Sequence, residues 1–231
     1  MNEQGTKPVD RRLWWLAGAM VFMAVALGCT PSTLSMLLVP FSDDKLPAKC
    51  KLKKDKGEST VVVYAQFARG DVPLDLEPSA SELADVFAMH LKQRCAANKE
   101  KIVIVPPSKV RSYLNNRFGE AVNDKELGEH FKADYVIRFE IQSLSLYVRG
   151  SAKGLFQGEA NVEVAVTDAK APEGEGRIFS EVYRRSYPKS GPKDAQGASS
   201  LQFRTMFVNR MGKDLSSWFT AFPSDETKEM D

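Results

Sequence analysis

The sequence predicts an α/β to α+β domain: one mixed sheet of early parallel strands and a late antiparallel meander, flanked by helices. Three observations predict it. Two largely apolar runs, 60–67 and 102–105, lie on either side of a helical segment with its apolar residues on one face, which is the order of a βαβ unit. Residues 134–148 and 155–167 then alternate apolar and polar side chains, the period of strands with one solvated face. A long segment near the C-terminus returns to helical periodicity.

The elements follow in order. Thr60–Phe67 is a β-branched and aromatic run bounded by a charged stretch and Gly70, so it reads as a strand buried on both faces. Residues 68–78 carry Gly70, Pro73 and Pro78 and read as a loop. In 79–96 the residues Leu83, Ala84, Phe87, Ala88, Leu91 and Cys95 fall on one helical face, and Ser79 with Glu82 has the spacing of a capping box. Ile102–Val105 is a second buried strand, stopped by Pro106 and Pro107. Ser108 is placed to cap a short helix over 109–117, and Asp124 to start another through Phe131, with Leu127 and Phe131 turned inward.

In 134–148 the apolar set sits on odd positions from Tyr135 to Ile141 and on even positions from Leu144 to Val148. That change of phase predicts a bulge near Ser143. In 155–167, Phe156, Ala160, Val162, Val164 and Val166 alternate with polar residues. Residues 177–187 form a third strand, 188–198 a Pro/Gly/Ser loop, and a final helix of about 199–221 buries Phe207, Met211, Leu215, Trp218 and Phe222.

Ahead of this domain, Arg11 and Arg12 precede an apolar run that ends Ala26-Leu27-Gly28-Cys29. A basic start, an apolar middle and small residues at the end make a secretory signal. The ending resembles the lipobox of bacterial lipoproteins, which implies cleavage before Cys29 and acylation of its sulfur. The alternative is an uncleaved single-pass anchor, but Leu13–Gly28 is sixteen residues, short of the ~20 that span a bilayer. The expected organisation is a signal segment 1–28, a lipidated tether 29–58, the domain 59–222 and a frayed tail 223–231. Either anchor puts the body of the chain outside the cytoplasm. With lipid attachment it faces the periplasm from the inner or the outer membrane.

Composition narrows the function. The signal segment holds three of the 32 basic and two of the 30 acidic residues, so the remainder carries 29 against 28. That balance argues against nucleic acid as a partner, because phosphate binding needs a clear basic excess. Five lysines, Lys49, Lys51, Lys53, Lys54 and Lys56, crowd into the tether; they read as a solvated linker or as a contact with anionic lipid.

Strand 60–67, helix 79–96, strand 102–105, the stretch Ala133-Asp134-Tyr135-Val136-Ile137 and the later Val164-Ala165-Val166-Thr167-Asp168 together resemble an α/β domain of the bacterial envelope. It is shared by the N-terminal domain of the Tol-Pal translocation protein B and the periplasmic domain of the curli secretion-channel lipoprotein. The resemblance covers residues 59–222 and implies a membrane-attached domain that meets other envelope proteins and is able to oligomerise.

Catalytic chemistry has few candidates. His90 and His130 have no ligand or base at working spacing, and no phosphate-cradling loop or nucleophile elbow is present. No metal, cofactor or catalytic residue is expected. The loops beyond the carboxyl ends of the parallel strands are where α/β sheets gather ligands. There Arg69, Asp71, Asp75 and Glu77 form a candidate docking loop, with a small-ligand or hard-cation site on the same tether as the alternative reading. With Cys29 acylated, Cys50 and Cys95 remain. A right-handed crossover returns Cys95 to the edge where strand 60–67 begins, so the two form a candidate disulfide. The competing expectation is that Cys95 is a buried apolar thiol.

Overall fold

The computed structural model describes residues 45–52, 57–68, 71–117, 123–151, 154–172, 174–195 and 199–224. The signal segment, Cys29, Arg69 and the acidic tail beyond Ser224 lie outside these residues. The described residues belong to one unit that begins at Lys45. The elements are β1 Lys45–Leu46, β2 Ser59–Phe67, α1 Pro78–Ala97, β3 Ile102–Ile104, α2 Pro107–Asn115, α3 Asp124–Phe131, β4 Tyr135–Tyr147, β5 Leu155–Asp168, β6 Arg177–Tyr187, β7 Lys193–Asp194, α4 Ser200–Ser216 and β8 Phe222–Pro223.

The fold is the mixed α/β sheet that the sequence predicts. Strand order is β3-β2-β4-β5-β6, with β7 beside the start of β5. β2 pairs in parallel with β3 and, from Val61↔Tyr135 to Phe67↔Ile141, with β4. β4, β5 and β6 form an antiparallel meander. The register of β4 on β5 shifts between Ile141 and Ser143, where the apolar phase flips.

The apolar run of β2 is explained by its neighbours. Val61, Val62 and Val63 are all fully buried, because helices cover both faces of the sheet here. Val61 and Val63 face α1 and α4, in a core with Leu83, Phe87, Leu91, Phe139, Phe207, Met211 and Leu215. Phe87 is central, edge-on to Phe139 at 4.7 Å and to Phe219 at 5.5 Å. Burying one such ring contributes about 1.5–3 kcal/mol. Val62 and Tyr64 face α2 and α3, in a second cluster with Val110, Leu127 and Val136. Gly212 lets α4 approach α1: a Cβ there would meet Val86 Cγ1 at 2.7 Å and the Phe87 nitrogen at 3.0 Å.

The structure corrects several expectations. The Ser79–Glu82 capping box does not form: α1 begins at Pro78 with Glu77 as N-cap, Ser79 is buried inside the first turn, and Glu82 is turned to Arg204. Ser108 likewise lies within α2, which Pro107 starts. β3 is an edge strand and not a central one, so Val103 is 42% exposed. The outer face of β5 is dry at Ala165 and Thr167, and Thr167 bonds to Asp124 of α3. α4 ends at Ser216, short of 221. Ser216 Oγ and Ser217 Oγ donate to the carbonyls of Lys213 and Asp214 at 2.7 and 2.6 Å, taking the last-turn acceptors. Finally, the domain starts earlier than 59. Cys50 and Leu52 are core residues, the Cys50 amide donates to the Trp218 carbonyl at 2.9 Å, and β1 pairs with β8.

α1 and α4 run in the same direction. Arg204 meets Glu82 near their starts, Asn209 meets His90 midway, and Ser216 meets Arg94 near their ends. Both helices therefore begin at the carboxyl end of the parallel strands. The chain enters at Lys45 beside Pro223, beyond the end of α4, at the opposite pole.

Candidate functional site: a cleft at the switch point of the sheet

The connection that leaves β2 crosses on the α1 face, and the one that leaves β3 crosses on the face of α2 and α3. Two adjacent parallel strands thus send their chains to opposite sides, and a crevice must open between them at the carboxyl ends. It is there. A cleft of about 650 Å³ is walled by Val63–Gln66 of β2, by Glu77 with Ala80, Ser81 and Ala84 of α1, and by Pro107, Arg111, Leu114 and Asn115 of α2, with Arg138 of β4. The volume suits a small organic ligand.

Two guanidinium groups line it. Arg138 is the more enclosed, its side chain 20% exposed. Behind it lies a buried polar network: Tyr64 OH donates to Asp124 Oδ1 at 2.6 Å and Thr167 Oγ1 to Asp124 Oδ2 at 3.1 Å. Burial first, and the Asp124 carboxylate second, hold the Tyr64 phenol well above its ordinary pKa, so it stays a donor. Arg138 Nε stands 3.8 Å from Asp124 Oδ2, and Nη1 stands 3.8 Å from Glu140 Oε2. Those distances give Coulomb attraction but no hydrogen bond. Nε is buried and makes no hydrogen bond among the described residues. Arg111 reaches Asp85 Oδ2 through Nη1 and Nη2, both at 3.3 Å.

Among the described residues of the expected docking loop, Glu77 lines the cleft and Asp71 and Asp75 do not. Asp71 and Asp75 are exposed, and the Asp75 carbonyl accepts from Arg204 Nη1, which pins the loop to α4. No group of three or more metal-ligating side chains occurs among the described residues. Arg111 and Arg138 were missed by sequence reasoning. Position 138 lies on the odd, apolar-facing phase's opposite side in β4, and only the crossover of α2 shows that this side closes a cleft.

A second depression of about 620 Å³ lies at the same pole, where Phe156 and the first turns of α4 meet. It is mainly apolar, with Leu201 57% and Met206 53% exposed beside it. His90 Nε2 and Asn209 Oδ1 share a hydrogen bond of 3.0 Å between α1 and α4, and His130 stacks on Tyr113 at 4.0 Å.

The expected Cys50–Cys95 disulfide is not present. Both are buried free thiols in the main core. Burial raises Cys50 to about 11, and burial followed by Glu100 raises Cys95 to about 12. Cys95 occupies the core face of α1 as a small apolar side chain. Of the tether lysines, Lys49 is committed to the domain: its Nζ is 2.6 Å from Glu181 Oε2 and 4.0 Å from the centre of the Trp218 ring.

No protein-family description matches the chain, and no curated protein does. Some solved structures are similar to it at low identity. Lipoprotein GNA1162 from Neisseria meningitidis is similar over 70% of this chain and 99% of its own, at 11% identity and a TM-score of 0.38. The hypothetical protein CT253 from Chlamydia trachomatis covers 70% and 98%, at 17% identity and 0.39. A PelC dodecamer from Paraburkholderia phytofirmans covers 74% and 93%, at 12% identity and 0.42. The Tol-Pal and curli resemblance rests on the sequence alone; in the structure Tyr135 of β4 is the register partner of Asp168 of β5.

Proposed function

We propose that this chain is a lipid-anchored protein of the bacterial envelope that works by holding a protein partner and not by turning over a substrate. The polarity of the domain carries this reading. The described chain begins at one pole, with Lys45 of β1 paired to β8. The carboxyl-end loops, the start of α4 and its exposed Leu201 and Met206 lie at the other. A membrane anchor at Cys29 leaves that far pole available to a partner. Among the described residues no helix is long and apolar enough to cross a membrane.

A photo-crosslinking residue placed at Met206 tests the contact, with one at Lys99 of the anchor pole as the comparison. Partner adducts are expected from 206 and not from 99. Equal yields from both, or none, would remove the reading. Attachment is tested separately by Cys29→Ser, which should leave the precursor uncleaved or the product soluble; mass spectrometry of the wild-type chain showing residues 1–28 still attached would overturn it.

A second reading, a small-ligand domain on the same tether, is favoured by one observation: the switch-point cleft with its two arginines.

A further inference from the structure

We infer that the switch-point cleft takes a small organic acid: one carboxylate or phosphate group on a partly apolar body. The inference deepens the small-ligand reading and rests on it.

The acid is argued from the two guanidinium groups. A guanidinium is planar and offers paired N–H donors that match a carboxylate or phosphate edge. Arg138 stands in the cleft wall with its side chain 20% exposed. Its Nε is turned inward to Asp124 and is closed to a ligand. Its Nη1 stands 3.8 Å from Glu140 Oε2, beyond hydrogen-bond length, so an acceptor in the cleft is offered the terminal N–H edge. Arg111 stands on the α2 wall with both terminal nitrogens at 3.3 Å from one Asp85 oxygen. That is longer than the 2.7–2.9 Å of a good charge-assisted bond, so an incoming acid competes on favourable terms.

The acidic surroundings narrow the choice. Asp124 and Glu140 back Arg138, Asp85 pairs with Arg111, and Glu77 stands in the cleft wall. Four carboxylates outweigh the two guanidinium charges, so the site recognises an acid group by hydrogen bonding and not by field. A polyanion would meet Glu77 and the two backing carboxylates and is disfavoured. The remaining wall mixes the aliphatic Ala65, Ala80, Ala84, Pro107 and Leu114 with the polar Gln66, Ser81 and Asn115. It suits a partly apolar body that also accepts or donates hydrogen bonds.

The test uses benzoate, phenyl phosphate and benzamide as probes on the chain with Cys29→Ser, followed by backbone amide NMR. Benzoate or phenyl phosphate should shift amides of 64–66, 77–84 and 111–115 and bind at least about tenfold more tightly than uncharged benzamide. Preference between the two acids tells a carboxylate site from a phosphate site. Arg138→Gln should weaken the acid about tenfold and leave benzamide unchanged. Arg111→Gln, on an exposed helix face, gives the same readout without touching the buried network, should the first variant not fold. Benzamide binding as tightly as benzoate would remove the acid while leaving the small-ligand reading standing. Silence of all three probes would remove both. Acid binding unaffected by either arginine variant would also overturn the assignment.

Discussion

Thr60 and Asp134 clasp the start of the sheet through two reciprocal hydrogen bonds. The Asp134 amide donates to the Thr60 carbonyl at 2.7 Å, and the Thr60 amide donates to Asp134 Oδ2 at 2.9 Å. The pair locks β4 against β2 one residue before their ladder begins at Val61↔Tyr135. Asp134 is 4% exposed, and Lys170 Nζ lies 2.5 Å from its other oxygen. One carboxylate thus ties β2, β4 and the turn after β5.

Replacing Asp134 with Ala leaves the Thr60 amide without its acceptor. The expected loss is about 2–3 kcal/mol, the worth of a charge-assisted bond plus the unmet donor. Asp134→Asn, which keeps an acceptor, should lose less. Urea denaturation of both variants checks it, and equal losses would count against the clasp.

Gly212→Ala inserts a methyl where Val86 and Phe87 already stand. Because the Phe87 nitrogen is backbone, α1 and α4 must separate slightly. The expected cost is about 1–3 kcal/mol, against roughly a gain where Gly→Ala is made in an open helix. A thermal melt unchanged or raised would show that the helices do not meet as described.

Arg204 is 8% exposed and holds two elements at once, Glu82 Oε1 at 2.7 Å and the Asp75 carbonyl. Arg204→Ala strips the counter-charge from a half-buried Glu82 and releases the loop ahead of α1. A loss of about 3 kcal/mol is expected, and hydrogen exchange should quicken at 71–77. Protection there equal to that of the wild type would refute the pinning role.

The two thiols give a pH-dependent outcome. Each has a folded-state pKa above the ordinary thiol value of 9.0, at about 11 for Cys50 and about 12 for Cys95. The unfolded chain therefore releases these protons first as pH rises. Their contribution to stability is intact below pH 9.0 and is lost between there and the folded values, at about 1.4 kcal/mol per pH unit for each thiol. Cys95→Ala should remove its share, so the wild type and the variant converge in stability from pH 9 to 11. In a Cys29→Ser chain, two thiols should react after denaturation and almost none before it. No reactive thiol in the denatured chain would mean that a Cys50–Cys95 bond forms after all.

The fold was largely legible in the sequence because its strands announce their own burial. Val61–Val63 must be covered on both faces, and a βαβ order supplies the helices that do it. The bulge near Ser143 followed from a parity change in apolar positions, since register and facing are one constraint in a strand. Helix ends were less legible. Ser79 and Ser108 carry capping side chains, yet a proline one residue earlier starts each helix, and a proline at the first position needs no donor satisfied.

The site divides the same way. The sequence by itself determined the mixed sheet, its crossovers, and hence that the carboxyl ends of β2 and β3 are where a crevice belongs; these follow from periodicity and the handedness of the chain. Only the tertiary structure decided which side chains stand in that crevice. Glu77 is sequence-adjacent to its strand's exit, but Arg111 and Arg138 come from separate elements brought together by the return of α2 over β2. It also decided that Cys50 and Cys95 are buried thiols, and that residues 45–52 belong to the domain. Local patterning fixes which face of an element is apolar, but the partner of that face is set by packing among elements far apart in the chain.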